Sequence, residues 1–109
     1  MCTDKKHLKV FCTVPDADTA ERIANAVVES KSAACASIVP GLISVYRWKG
    51  EICRSAELLL IMKTTAERYT TLERQIRSLH PYEVPEIVAV EIAEGSADYL
   101  SWIDESTRP

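Results

Sequence analysis

The sequence of 109 residues lacks the motifs that carry catalysis in most enzyme families. It has no Gly-x-Ser-x-Gly, no Walker loop and no His-Glu-x-x-His, and it contains only two histidines. An enzyme needs an activated nucleophile, and a dyad of Cys12 and His80 would lack an orienting third group and an oxyanion hole. We therefore predict that the chain is not an enzyme.

Long apolar runs and clusters of positive charge are also missing. No run approaches the roughly 18 apolar residues of a membrane helix, and the first residues lack the apolar segment of a signal peptide. We expect a cytoplasmic protein that does not contact membranes. Thirteen basic and sixteen acidic residues give a net charge of −3, with no basic cluster beyond Lys5 and Lys6. Nucleic acid is therefore not an expected partner.

The four cysteines contain no Cys-x-x-Cys pair, which argues against a zinc finger and a thioredoxin-like site. Cys12 and Cys35 lie inside apolar segments, where a reduced thiol packs as a small hydrophobe. Hydrophobic residues make up 47% of the chain and charged residues 27%, without a segment of linker composition. We predict a single domain over residues 1–109, with residues 1–6 disordered.

The first half of the chain predicts a strand, a helix and a long hairpin. A two-residue hydrophobic period ends at Pro15, and Asp18 is then the predicted cap of a helix that runs to about Ser30. A second strand follows from residue 33, and Pro40-Gly41 interrupts it, which implies a bulge or an edge position. A turn at residues 49–51 returns the chain in a third strand that ends at Lys63.

The second half predicts a helix, a strand and a further helix. Thr64 is the predicted cap of a helix that ends near Leu79, and an apolar strand occupies residues 87–92. Ser96 is the predicted cap of a last helix, whose inward-facing residues are Tyr99, Leu100 and Ile103, with Trp102 beside them.

A stiff connector links the second helix to the fourth strand. It covers residues 80–86 and contains Pro81 and Pro85, each of which restricts the residue before it to an extended conformation. The sequence therefore predicts that His80 is extended and held at a helix-to-strand junction.

The order of elements predicts an α+β fold, a ferredoxin-like βαββαβ sandwich with an extra C-terminal helix. Helices cover only one face of such a sheet, so the other face should read as polar in a monomer. Residues 58–62 and 87–90 are instead apolar on both faces. We infer that another subunit covers the second face.

Several ordered segments give this chain a close resemblance to the CutA divalent-cation tolerance family, from about Val10 to Trp102. The matching segments are Cys12-Thr13-Val14-Pro15-Asp16, Ala33-Ala34-Cys35-Ala36, Tyr46-Arg47-Trp48-Lys49-Gly50, Lys63-Thr64, the connector and Tyr99-Leu100-Ser101-Trp102. The resemblance implies a small cytoplasmic homotrimer, a link to tolerance of copper and other divalent metals, and architectural kinship with PII-type signalling trimers.

The resemblance also implies metal ligands. The family's ligands are a cysteine of the first strand, which falls on Cys12, and a histidine pair, which falls on Leu79 and His80. Leucine cannot bind a metal, so Leu79 removes one donor, and Glu83 is the candidate oxygen substitute. The implied metal is copper, or another divalent cation such as zinc.

Two other functions remain open from the residues themselves. One is a PII-like module that binds a small molecule between subunits, with Tyr46, Trp48, Lys63 and Tyr82 as candidate cleft groups. The other is a trimeric scaffold without a ligand, in which Tyr46 and Trp48 anchor an interface. Simpler roles also exist for the metal candidates: Cys12 as a core residue and His80 as a cation at a helix end. The residues Lys63, Glu57 and Glu86 are first interpreted as solvated ends of elements.

Overall fold

A computed structural model describes residues 6–109 and confirms the predicted α+β fold. The elements follow the predicted order, and a single 3₁₀ turn at Ala66–Arg68 precedes the second helix. They are β1 (His7–Val14), α1 (Ala17–Glu29), β2 (Cys35–Trp48), β3 (Glu51–Thr65), α2 (Tyr69–Leu79), β4 (Val88–Glu91) and α3 (Ala97–Ser106). No helix within the described residues is both long and apolar enough to span a membrane.

Residues 1–6 were predicted to be disordered. The first five of them lie outside the described residues. Lys6 is described, and its carbonyl accepts a hydrogen bond from the backbone N–H of Ala66 at 3.0 Å. Its ammonium group lies 3.3 Å from the carboxylate of Glu91. These two contacts fix Lys6 at the start of β1.

The four strands form one antiparallel sheet in the order β2-β3-β1-β4. The two central strands pair with Val10 opposite Met62 and Cys12 opposite Leu60. Because side chains alternate between the two faces of a strand, this register places all four residues on the same face. All four are fully buried.

Helices α1 and α2 cover this face and complete the core. Their apolar side chains recur at helical spacing, which forms one stripe along each helix. Ile23 and Val27 of α1 and Leu72 and Ile76 of α2 are fully buried in the same cluster as the strand residues.

The opposite face of the sheet, which we call the open face, is covered only at one end. There, α3 packs over the sheet, with Ile103 fully buried and the carboxylate of Asp104 2.9 Å from Nε2 of His7. Elsewhere Val88 and Val90 remain 48% and 50% exposed. Residues 6–109 therefore leave the apolar open face partly uncovered.

The β2–β3 hairpin is long and largely exposed towards its tip, and the described chain as a whole measures 50 × 25 × 23 Å along its principal axes. The predicted bulge is present, since the register shifts between Val39 and Leu42. At the tip, Lys49 and Gly50 both have positive φ, at 52° and 81°, the combination that a tight two-residue hairpin turn requires. Exposed apolar side chains lie along the hairpin: Ile43, Val45 and Ile52.

Two predicted helix caps are wrong. The cap of α1 is Asp16, whose side chain accepts a hydrogen bond from the backbone N–H of Thr19 at 2.8 Å, and Asp18 already lies in the first turn. Thr64 does not cap α2, because pairing with β1 continues β3 through Thr65. The hydroxyl of Thr64 is buried and donates to the carbonyl of Ser32 at 2.7 Å.

The end of the chain differs from the prediction in two further details. The fourth strand is shorter than predicted, four residues instead of residues 87–92. Ser96 caps α3 as predicted, but Tyr99 and Trp102 are each 40% exposed. Their rings pack against each other with centroids 5.4 Å apart, so each ring covers part of the other instead of entering the core.

Leu60 tests the importance of the helix-covered face. We expect Leu60→Ala to lower the free energy of unfolding by about 2 to 5 kcal/mol, because truncation of a fully buried leucine leaves a cavity. Urea denaturation at a fixed protein concentration measures this loss, with Thr70→Ala on the exposed side of α2 as the control. Equal effects of the two substitutions would contradict this account of the core.

Candidate functional site

The candidate site is built around the connector. Helix α2 ends at Leu79, and His80 takes an extended conformation with φ −85° and ψ 134°, as the following proline requires. The backbone N–H of His80 still donates to the carbonyl of Ile76 at 2.9 Å, which closes the last helical turn. His80 is only 9% exposed, so its ring enters the protein at the junction.

Both ring nitrogens of His80 have partners. Nε2 lies 2.8 Å from the carbonyl oxygen of Thr13, which can only accept a hydrogen bond, so Nε2 donates. The backbone N–H of Tyr82 donates to Nδ1 at 3.2 Å, so Nδ1 accepts. These partners specify the neutral tautomer that carries its proton on Nε2.

Cys12 lies in the core beneath this site. Its side chain is fully buried, and its sulfur makes only a long contact of 3.7 Å with the carbonyl of Thr13. Burial raises the pKa of the Cys12 thiol to about 12, and the negative charges of Glu86 and Glu57 contribute in the same direction. A metal binds the thiolate, so binding at Cys12 would have to displace this proton.

The predicted metal ligands do not fit a metal ion in this arrangement. Both nitrogens of His80 are already engaged, and Cys12 is held as a neutral thiol. Leu79 packs against the core, and Glu83 is exposed. Within residues 6–109, no group of three or more His, Cys, Asp or Glu side chains is arranged to hold a metal. The donor chemistry therefore favours structural roles for Cys12 and His80.

A cavity of about 710 Å³ opens beside the connector, between it, the hairpin and the end of β1. We call it the cleft. Three of the four predicted cleft residues line it: Tyr46, Trp48 and Tyr82. Lys63 does not, because it lies farther along β3, opposite Cys35 and Lys9. The other residues that line the cleft are Thr13, Ser44, Val45, Glu57, Pro81, Glu83, Val84 and Glu86.

A hydrogen bond between Tyr82 and Glu57 joins the connector to the hairpin. The hydroxyl of Tyr82 donates to Oε2 of Glu57 at 2.6 Å, and the Tyr82 ring lies 4.7 Å from that of His80. Burial raises the pKa of Tyr82 well above its usual range, and the hydrogen bond to Glu57 and its negative charge add to this effect. Tyr82 is therefore a neutral donor at physiological pH. Tyr46 is similarly fixed by a bond of 2.9 Å between its hydroxyl and that of Ser55.

Glu57 is the site residue that the sequence interpretation missed. It was assigned to a solvated end, but it is only 6% exposed. The available signal was its position directly before the apolar run of residues 58–62, inside a strand. Glu86, in contrast, is exposed as expected, although it lines the cleft.

Comparisons with known proteins agree on one family. Residues 8–106 match the family model of the CutA1 divalent ion tolerance protein. A divalent-cation tolerance protein CutA from Thermus thermophilus is 52% identical over 98 residues, which cover 90% of this chain and 95% of the relative.

Solved structures give the same result. The Cut A1 structure from Thermus thermophilus superimposes with a TM-score of 0.92 at 50% identity, covering 94% of this chain and 99% of the other. A CutA from Archaeoglobus fulgidus, described as periplasmic, gives a TM-score of 0.90 at 35% identity over 94% of this chain and 99% of its own.

The buried thiol of Cys12 leads to a prediction about reactivity. In a variant that keeps only Cys12 (Cys2→Ser, Cys35→Ser, Cys53→Ser), we expect alkylation by iodoacetamide at pH 8 to be at least ~100-fold slower in the folded protein than in urea. The raised pKa means that the native rate stays low through pH 8 to 10, where the unfolded thiol ionises. Mass spectrometry of timed samples measures both rates. A native rate with an inflection near pH 8.5 would contradict this prediction.

Proposed function

This chain belongs to the CutA1 divalent ion tolerance protein family, and from that membership we propose that it acts in divalent-cation tolerance as a cytoplasmic homotrimer. The family is named for tolerance and not for a reaction. We accordingly propose no catalytic role for Cys12. The observation that supports assembly is the partly uncovered, apolar open face of the sheet.

Two separate apolar surfaces support a closed assembly of several copies. One is the open face, where Val88 and Val90 are about half exposed, and the other is the hairpin, where Val45 and Ile52 are 65% and 71% exposed. Large exposed apolar surfaces are uncommon in soluble monomers. When two different surfaces of identical chains pair, the contacts can close into a ring, and the trimer is the ring that the family resemblance implies.

We propose that the chain binds copper and zinc ions. We do not propose Cys12 and His80 as their ligands. The exposed carboxylates of Glu83 and Glu86 are the oxygen donors that a cation can reach without breaking the hydrogen bonds of His80. For a given set of donors, copper(II) binds more tightly than zinc(II) or the other first-row divalent ions. We therefore propose that these carboxylates bind divalent cations weakly, and copper(II) more tightly than zinc(II).

The cleft supports a second candidate function, the binding of a small molecule. Its volume lies within the usual range of ligand sites, roughly 300 to 1,000 Å³, and its walls combine aromatic rings with a few polar groups. The elements that form it belong to one chain, and the protruding hairpin brings it next to the surface at which we propose that copies meet.

Sedimentation equilibrium at micromolar concentration tests the trimer. We expect one species with three times the mass of the chain, and no monomer. Ile61→Glu places a charge on the open face and should cause dissociation or aggregation, because an unpaired charge is costly in an apolar interface. Arg74→Glu, on the exposed side of α2, is the control and should leave the trimer intact. A well-folded wild-type monomer under these conditions would refute the proposed assembly.

Calorimetric titration with copper(II) tests which side chains bind the metal. We expect Cys12→Ala to change the dissociation constant by less than about twofold, because the neutral thiol is not a metal ligand. The double substitution Glu83→Gln and Glu86→Gln should weaken binding several-fold, by loss of two oxygen donors. If Cys12→Ala instead removes copper binding and the carboxylate variant does not, then the thiolate and imidazole hold the metal and this proposal fails.

A further inference from the structure

Glu57 is a buried carboxylate without a positively charged partner in the described chain. It is 6% exposed, and the Tyr82 hydroxyl occupies only one of its oxygens. The ion pairs found among residues 6–109 join Lys6 to Glu91 and His7 to Asp104, and neither involves Glu57. A nearby cation would stabilise a carboxylate in this position, and no ion pair among residues 6–109 supplies one to Glu57.

The second oxygen of Glu57 is directed towards the cleft. Glu57 lines this cavity, and within the described residues no side-chain oxygen is both fully buried and without a hydrogen-bond partner. The unbonded oxygen must therefore retain accessible surface, and the cavity supplies it. A ligand in the cleft can thus reach a carboxylate oxygen whose side chain is held in place by Tyr82.

The rest of the cleft has the chemistry of a site for an organic cation. Glu83 and Glu86 add negative charge, and no lysine or arginine is among the lining residues. The rings of Tyr46, Trp48 and Tyr82 supply faces that attract cations. The hairpin tip already shows such a contact, because the ammonium group of Lys49 lies 5.7 Å from the centre of the Trp48 ring.

We propose that the cleft binds a small organic ammonium ion, whose charged group donates to Glu57 while its carbon chain packs against Trp48 and Tyr82. This inference rests on the second candidate function, the binding of a small molecule, and it names the class of ligand. The same chemistry argues against nucleotides and other polyanions, since three carboxylates line the cleft and its described lining residues include no lysine or arginine.

The positive charge could also come from a lysine or arginine of a second copy of this chain. That source would pair with Glu57 on assembly and leave its oxygen unavailable to a free ligand. The two sources share one chemistry, so the experiment must separate them, and binding of a free amine to the assembled protein does so.

The probe is hexane-1,6-diamine, a flexible alkyl chain with an ammonium group at each end. Its matched control is adipate, which has a chain of the same length with two carboxylates, and ATP represents the nucleotides. The protein carries Trp102→Phe, so that its fluorescence reports Trp48 alone. We expect the diamine to change the fluorescence saturably, with a dissociation constant below about 1 mM, while adipate and ATP cause no saturable change.

Variants then assign the binding to Glu57. Glu57→Gln should raise the dissociation constant of the diamine at least about tenfold, because it replaces a hydrogen bond to a charged group by a neutral one. Glu86→Gln at the exposed rim should weaken binding less, and it keeps the test decisive if Glu57→Gln fails to fold. Glu105→Gln on α3 is the control and should leave binding unchanged.

Three results would overturn the proposal. One is equal binding of diamine and adipate, and another is binding that Glu57→Gln and Glu86→Gln both leave unchanged. The third is no saturable binding of the diamine by the wild-type assembly, and dissociation of the Glu57→Gln variant in sedimentation would then assign the cation to a second copy. Since the assembly and copper titrations do not use this probe, failure here is distinguishable from failure of the proposed tolerance function.

Discussion

The hydrogen bond from the His80 ring to the Thr13 carbonyl is the contact on which the candidate site depends. It ties the end of α2 to the end of β1, and its 2.8 Å length places the ring against the sheet. Tyr82 continues the chain of contacts, since its N–H bonds to the same ring and its hydroxyl bonds to Glu57 of β3. Pro81 and Pro85 restrict the backbone between these points. Three elements are thereby fixed around one cavity.

The family is named for divalent-cation tolerance, but in this chain the implied ligand positions do not present free metal donors. The positions that the resemblance assigns to metal ligands hold a buried neutral thiol, a leucine packed on the core and a histidine with both nitrogens engaged. Copper on Nδ1 of His80 would displace the Tyr82 N–H from that nitrogen, while the bond from Nε2 to Thr13 would stay in place. The accessible charge lies instead in the carboxylates of the cleft, of which Glu57 is the most buried.

The sequence predicted local features well and distant contacts poorly. Hydrophobic periodicity is local, so the order of elements, the bulge near Pro40 and the extended His80 all agree with the structure. The cap at Thr64 failed because pairing with β1, more than fifty residues away, extends β3 through that position. Glu57 was missed because its hydrogen-bond partner Tyr82 lies 25 residues farther along the chain, and no local sequence pattern predicts that bond. Lys63 does not line the cavity within one chain, and its assignment to a cleft between subunits stays a prediction.

The most direct test of this account is ¹⁵N NMR of the His80 ring at pH 7.5, with a His7→Gln variant to assign the two histidines. The hydrogen bonds to Thr13 and Tyr82 predict a neutral ring with its proton on Nε2 and an unprotonated Nδ1, unchanged when one equivalent of zinc is added. A ring protonated on Nδ1, or a zinc-dependent shift of either nitrogen, would show that His80 is free to bind metal and would contradict the structural role assigned to it.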